Sequence, residues 1–150
     1  MQLTFELEDV QSEDAKELIC ELSEELKMIT GDDGRGSFDY SDMDHKRSVL
    51  VIVRDHGIPV GCGAFREISD DTAELKRMYT RTKSMGIGTS LLHYLENKAM
   101  EYCYRRIILS TRSCNTKAVQ FYLRNGYYRI DSYGSYHNKS ESVCLEKILK

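Results

Sequence analysis

The chain has 150 residues, 30% of them charged and 41% hydrophobic, with a formal net charge of −3. That length fits one domain, residues 1–150, and the single proline and ten glycines argue against a collagen-like, linker-rich or disordered chain. No apolar run nears the roughly eighteen residues that span a bilayer, Met1 to Val10 lacks the order of a signal peptide, and the mild acidity argues against sequence-independent nucleic-acid binding, so a cytoplasmic location with no membrane or nucleic-acid partner is expected.

Leu3 to Leu7 alternates apolar and polar residues and reads as a strand. A helix follows over Ser12 to Thr30, with Ala15, Leu18, Ile19, Leu22, Leu26 and Ile29 on one face at three- and four-residue steps. Ser12 can cap it, Glu13 and Asp14 suit the positive end of its dipole, and Gly31 stops it. Gly31 to Asp44 is irregular and acidic, carrying Asp32, Asp33, Asp39, Asp42 and Asp44 against one basic residue, Arg35. Ser48 to Arg54 and Val60 to Arg66, joined by a turn at Asp55-His56-Gly57, read as a hairpin. After a turn over Ile68 to Asp71, Thr72 to Tyr79 is a further strand.

Met85 to Cys103 is a second amphipathic helix, with Ile87, Leu91, Leu92, Leu95, Ala99 and Met100 facing the core. Arg106 to Leu109 is a short buried strand, and Asn115 to Arg124 is a third helix ended by Asn125-Gly126. Tyr127 to Ile130 and Ser142 to Ile148 close the chain as strands. The order β-α-β-β-β-α-β-α-β-β requires a crossover with at least one parallel pair, while the hairpins require antiparallel ones. An α/β fold with a mixed sheet and helices on both faces follows. The five cysteines are scattered without C-x-x-C spacing, so no zinc or dithiol motif is present and mostly buried free thiols are expected. The Asn138-Lys139-Ser140 sequon carries meaning only for a secreted chain.

Lys83-Ser84-Met85-Gly86-Ile87-Gly88 lies between a predicted strand and a predicted helix. Glycines there let backbone N–H groups approach a ligand, and the first helical turn offers unpaired N–H groups with a partial positive charge, a combination suited to phosphate. Lys76, Arg77, Arg81 and Lys83 precede the turn, and no acid interrupts Leu75 to Tyr94. The plainer alternative is a tight helix start beside a solvated basic face. Neither G-x-x-x-x-G-K-[ST] nor G-x-G-x-x-G is present, because Leu91 stands at the third glycine of the latter.

Glu74-Leu75-Lys76-Arg77-Met78-Tyr79, Lys83 to Gly88, Thr89-Ser90-Leu91-Leu92 and Leu95-Glu96 together resemble the GNAT superfamily of acyl-CoA N-acyltransferases. The family's [Q/R]-x-x-G-x-[G/A] signature aligns on Lys83 to Gly88, with Lys83 in place of Gln or Arg. A second block, Leu109-Ser110-Thr111, Asn115, Ala118, Phe121-Tyr122 and Asn125-Gly126-Tyr127, is similar to its N-x-x-A-x-x-F-Y-x-x-x-G-[F/Y] pattern. The resemblance implies a GNAT-like, mostly antiparallel sheet and acetyl-CoA as cosubstrate, without a metal. It implies pyrophosphate contacts from Lys83, Ser84, Met85, Gly86, Ile87, Gly88 and Thr89. It also implies strand-like pairing of the pantetheine arm with the backbone of Met78, Tyr79 and Thr80, and a hydrogen bond to that arm from Asn115, which would cap its helix.

Acyl transfer to an amine needs a base for an ammonium of pKa near 10.4, a donor for the oxyanion and a proton for the departing thiolate. By the resemblance, which places its strand along the acceptor cleft, Glu74 is the candidate base, direct or through water, and an exposed strand carboxylate paired with Lys76 is the alternative. By the resemblance Tyr122 protonates the sulfur, although its ring also suits core packing with Ala118 and Phe121. A backbone N–H of Met78, Tyr79 or Thr80 is the expected oxyanion donor. Cys114 adjoins Asn115 without a Cys–His arrangement, so a packed thiol is favoured over a nucleophile, and His93 reads as a solvated helix residue. The aspartates of Gly31 to Asp44 can rim a cleft for a cationic amine or simply solvate a loop. Tyr127, Tyr128, Tyr133 and Tyr136 can line that cleft or a homodimer surface. Direct attack on acetyl-CoA by a small-molecule or peptide amine is the expectation. A non-catalytic acyl-CoA-binding module is the alternative, and binding of another phosphate-bearing nucleotide is a third reading.

Overall fold

Period-two alternation along the strands decides which helix covers each side of the sheet. The computed structural model describes residues 1–34, 41, 43, 45–83, 85–134 and 141–150. Among them the elements run β1 (Leu3–Leu7), α1 (Glu13–Thr30), β2 (Val49–Asp55), β3 (Ile58–Glu67), β4 (Thr72–Thr80), α2 (Ile87–Glu101), β5 (Arg106–Arg112), α3 (Thr116–Arg124), β6 (Tyr128–Ile130) and β7 (Ser142–Ile148). They form a seven-stranded sheet in the order β1-β2-β3-β4-β5-β7-β6. The β4–β5 pair is parallel and the other five pairs are antiparallel, the mixed sheet that the sequence predicts.

Val49, Val51 and Val53 of β2 join Phe65, Ala73, Leu75, Ile107 and Leu109 in a core closed by α2 and by Tyr122 of α3. The intervening Leu50 and Ile52 face the other way and pack with Cys62 and Ala64 under Ala15, Leu18 and Ile19 of α1. Leu91, Leu92 and Leu95 are wholly buried, each contributing about 1.5–3 kcal/mol. Ser12 caps α1 by accepting from the Ala15 amide at 3.2 Å, and Gly31, at φ +81°, ends it.

Several boundaries depart from the sequence reading. β5 runs to Arg112 rather than stopping at Leu109, because β7 pairs with it along its whole length. α2 starts at Ile87, not Met85, since Gly86 takes the left-handed conformation at φ +74°. Ile29, expected in the core, is 44% exposed where the end of α1 overruns the sheet, and Met100 is only half-buried. The cysteines are not mostly buried. Cys20, Cys103 and Cys114 are exposed, whereas burial pushes the Cys62 thiol up to about 12.

The register of β3 on β4 shifts between Cys62 and Ala64, placing an extra residue in β4, and Arg77 there has φ +55°. This bulge reverses the alternation beyond it, so Met78 faces α2 while Arg77 reaches Ser23 of α1. Gly61 and Gly63 make room for it. A Cβ on Gly61 would lie 2.7 Å from the Tyr79 carbonyl oxygen, and one on Gly63 would lie 2.6 Å from Met78 Sδ. Gly61→Ala is therefore expected to cost about 1–3 kcal/mol in urea unfolding. An unchanged unfolding midpoint would contradict this close approach of β3 to β4.

Candidate functional site

The parallel ladder joins Thr72 to Arg106, Ala73 to Ile107 and Glu74 to Ile108. It stops there, while β4 continues to Thr80 and β5 to Arg112. The two strands part, and on that side no strand among the described residues pairs with Met78, Tyr79 or Thr80. An extended chain laid in such a gap can bond to the backbone as an added strand.

At the end of β4 the chain turns into α2. Gly86 is its N-cap without a side-chain cap, and its first turn contains no acid, so the N–H groups around Ile87, Gly88 and Thr89 present the helix's positive end. A Cβ on Gly88 would lie 3.4 Å from Phe121, so this glycine also lets α3 pack against the start of α2. Met85 is 52% exposed beside the turn, and Ser84 lies outside the described residues. Asn115 caps α3 as expected, accepting from the Ala118 amide at 3.4 Å.

The basic residues before the turn do not form a free positive face. Arg81 donates to Glu17 at 2.8 Å and to Glu21 at 2.6 and 2.9 Å. That bond lowers the Glu21 carboxyl below its usual range. Tyr79 donates to Glu21 at 3.0 Å, and burial pushes its phenol up to about 12. The Lys83 ammonium is 3.2 Å from Glu25, donates to the Thr80 carbonyl and sits 4.4 Å from the centre of the Tyr79 ring. Arg77 donates to Ser23 at 2.7 Å, and Lys76 lies 3.5 Å from Glu74. The acidic ridge of α1 thus engages Arg81 and Lys83. The sequence shows four cations before the turn, but not this helix facing them.

Glu74 alternates with the core residues Ala73 and Leu75 and so faces the α1 side, where it is 1% exposed. It accepts from Arg66 at 2.7 Å and from the Tyr133 hydroxyl at 2.6 Å. Glu74 is therefore neither an exposed carboxylate nor a partner of Lys76 alone. Arg66 was missed by the sequence reading, although the turn over Ile68–Asp71 sets a register that puts it directly opposite Glu74. Of the four late tyrosines, Tyr133 reaches Glu74, Tyr127 is buried, Tyr128 is exposed and bonds Glu146, and Tyr136 lies outside the described residues.

Tyr122 is 8% exposed within the α2-side core, its ring edge-on to Phe121 and Tyr127. Burial raises its phenol well above the ordinary value, and its hydroxyl makes no hydrogen bond among the described residues. It shares the α2 side of the sheet with the start of that helix, whereas Glu74 is on the α1 side. The structure does not bring Tyr122 and Glu74 into contact. The two side chains thus lie on opposite faces of the sheet.

Cys114 is exposed, contrary to the packed thiol expected, with Sγ 3.9 Å from the Ile29 carbonyl, and His93 is exposed as expected. Among the acids after α1, Asp32 lies 3.9 Å from Arg112 and the Asp33 carbonyl faces Arg77, while Asp39, Asp42 and Asp44 are outside the described residues. No group of three or more His, Cys, Asp or Glu able to hold a metal ion occurs among the described residues, and no described helix is long and apolar enough to cross a membrane.

A model of the Acetyltransferase (GNAT) family matches residues 12–127. Uncharacterized protein YdhI of Bacillus subtilis (strain 168) is 33% identical over 78 residues, covering 52% of this chain and 48% of that protein, so the match spans about half of that relative. A proposed acyl-CoA N-acyltransferase from Klebsiella pneumoniae subsp. pneumoniae MGH 78578 superposes with a TM-score of 0.83 at 24% identity over 99% of each chain. PaiA N-acetyltransferase from Thermoplasma acidophilum, solved in complex with coenzyme A, gives 0.74 at 19% identity, again over 99% of each chain. At these identities the structural likeness is one of fold.

Proposed function

Because the chain belongs to the Acetyltransferase (GNAT) family, we propose that it moves an acetyl group from acetyl-CoA to a primary amine by direct attack within a ternary complex. The observation that carries this reading is the uncapped, acid-free start of α2 beside the point where β4 leaves β5. Those N–H groups suit a diphosphate, and the backbone of Met78, Tyr79 and Thr80 suits an extended amide arm. Coenzyme A bound to the Thermoplasma protein, which has the same fold, supports the choice of cosubstrate.

Acetyl-CoA supplies a thioester carbonyl and a sulfur leaving group. Around it, Met85, Gly86, Ile87, Gly88 and Thr89 hold the diphosphate through backbone groups, joined by Ser84 and Lys83. Lys83 must exchange Glu25 for phosphate. A lysine is a point charge without a planar fork, so the backbone carries most of the grip. Asn115 bonds the arm, and a β4 amide steadies the carbonyl oxygen as charge builds on it. Tyr122 returns a proton to sulfur, and Glu74 takes one from the amine. With Glu74 1% exposed, that proton leaves through a water or after Tyr133 moves aside.

The same burial favours a second reading, a binding module that performs no transfer. Calorimetry with acetyl-CoA, together with thiol release over a panel of spermidine, an aminoglycoside, free L-amino acids and a lysine peptide, separates the two. Binding with thiol release for at least one amine is expected. Binding heat without release from any amine supports the module, and absence of heat overturns both readings.

A further inference from the structure

Behind Tyr122 lies an ionic cluster, built on a buried carboxylate and a partly exposed lysine, that acyl transfer, as described above, does not use. Glu96 of α2 is 6% exposed. It accepts from the Tyr127 hydroxyl at 2.9 Å and from the Lys147 ammonium of β7 at 3.1 and 3.2 Å. Lys147 donates also to the Asn125 carbonyl at 2.9 Å, and a Cβ on Gly126, at φ +92°, would lie 3.4 Å from its Cε. The Asn125-Gly126-Tyr127 turn is thus clamped between α2 and β7.

An ion pair that is only partly desolvated adds little net stability, so the orientation it imposes on its partners is the feature of interest. The object it orients is the Tyr127 ring, tethered at its far end by Glu96 and at its backbone by a 3.0 Å bond from its amide to the Tyr122 carbonyl. That ring meets Tyr122 edge-on, centroids 5.5 Å apart at 68°. Since the Tyr122 hydroxyl makes no hydrogen bond among the described residues, its direction is set by ring packing against Phe121 and Tyr127.

We propose that Tyr127, anchored by Glu96 and Lys147, is a positioning residue that holds the Tyr122 ring at the angle its hydroxyl needs to reach the thioester sulfur. The inference rests on the acid role given to Tyr122 above. Misalignment of a reacting group by a fraction of an ångström costs rate rather than affinity.

A double-mutant cycle tests it, read as thiol release from acetyl-CoA with the fastest amine of the panel. Tyr127→Phe keeps the ring and is expected to lower kcat about tenfold with KM for acetyl-CoA unchanged, yet less than about twofold in a Tyr122→Phe background. An equal loss in both backgrounds means that Tyr127 acts on the fold alone and overturns the proposal while sparing the acid reading. A Tyr122→Phe enzyme with full kcat overturns both. Should Tyr127→Phe not fold, Glu96→Gln replaces it in the same cycle. Independently of turnover, tyrosines labelled with 13C at Cζ report the Tyr122 environment, the line being identified by its loss in Tyr122→Phe. Glu96→Gln is expected to shift that line through Tyr127, and an unmoved line overturns the proposal.

Discussion

Tyr122→Phe is expected to lower kcat about 100- to 1,000-fold while acetyl-CoA affinity stays within about twofold. The phenyl ring keeps the edge-on contacts with Phe121 and Tyr127, and the hydroxyl gives up no hydrogen bond among the described residues, so the fold loses little. The deficit therefore reports proton delivery. Burial raises the Tyr122 phenol, so the proton donor persists above its ordinary value near 10. A pH–rate profile is expected to show no alkaline limb owed to Tyr122 below about pH 10. Unchanged kcat in the variant would remove Tyr122 from the chemistry, whereas a limb near pH 8 that vanishes with the hydroxyl would contradict the burial-raised phenol.

Glu74→Gln is expected to cost about 100-fold in kcat near neutral pH, where the amine is almost wholly protonated. The size hardly changes, and the amide can still accept from Tyr133, but the negative charge facing Arg66 and Lys76 is gone. Stability falls as well, because two cations lose their shared counter-ion. The two effects separate with pH. As the solution nears the amine's own pKa of about 10.4, free base accumulates without help, and the rate deficit shrinks if Glu74 removes the proton. A deficit equal at neutral and alkaline pH assigns Glu74 to structure only.

Much of the fold could be read from the chain because the local signals agree. Ser12 and Gly31 bound α1, the valines and isoleucines of β2 alternate between two cores, and Asn115 caps α3. Gly86 and Gly88 mark the turn on spacing alone, and the order of elements requires the one parallel pair observed among the described residues. What escaped reading depends on contacts distant in sequence. The engagement of Arg81 and Lys83 shows only once α1 is placed beside them, since nothing local ties Glu21 or Glu25 to residues some sixty positions away. Glu96 and Lys147 are ordinary surface residue types, and the burial of Glu96 and its pairing with Lys147 follow only once β7 is placed beside α2. The bulge at Arg77 has no sequence mark beyond the glycines opposite it, and it moves Arg77 and Met78 to the faces they occupy.

The acidic ridge of α1 carries one further implication. Lys83 is exposed and Arg81 partly so, and salt weakens surface ion pairs such as theirs to Glu17, Glu21 and Glu25. The same ions weaken the attraction between a liberated lysine and a diphosphate. With Lys83 serving a diphosphate as proposed, ionic strength would pull cofactor capture in two directions at once, loosening the internal competitor while dulling the ligand's own pull. A shallower salt dependence of coenzyme A binding than an unengaged basic rim would confer is the expected result.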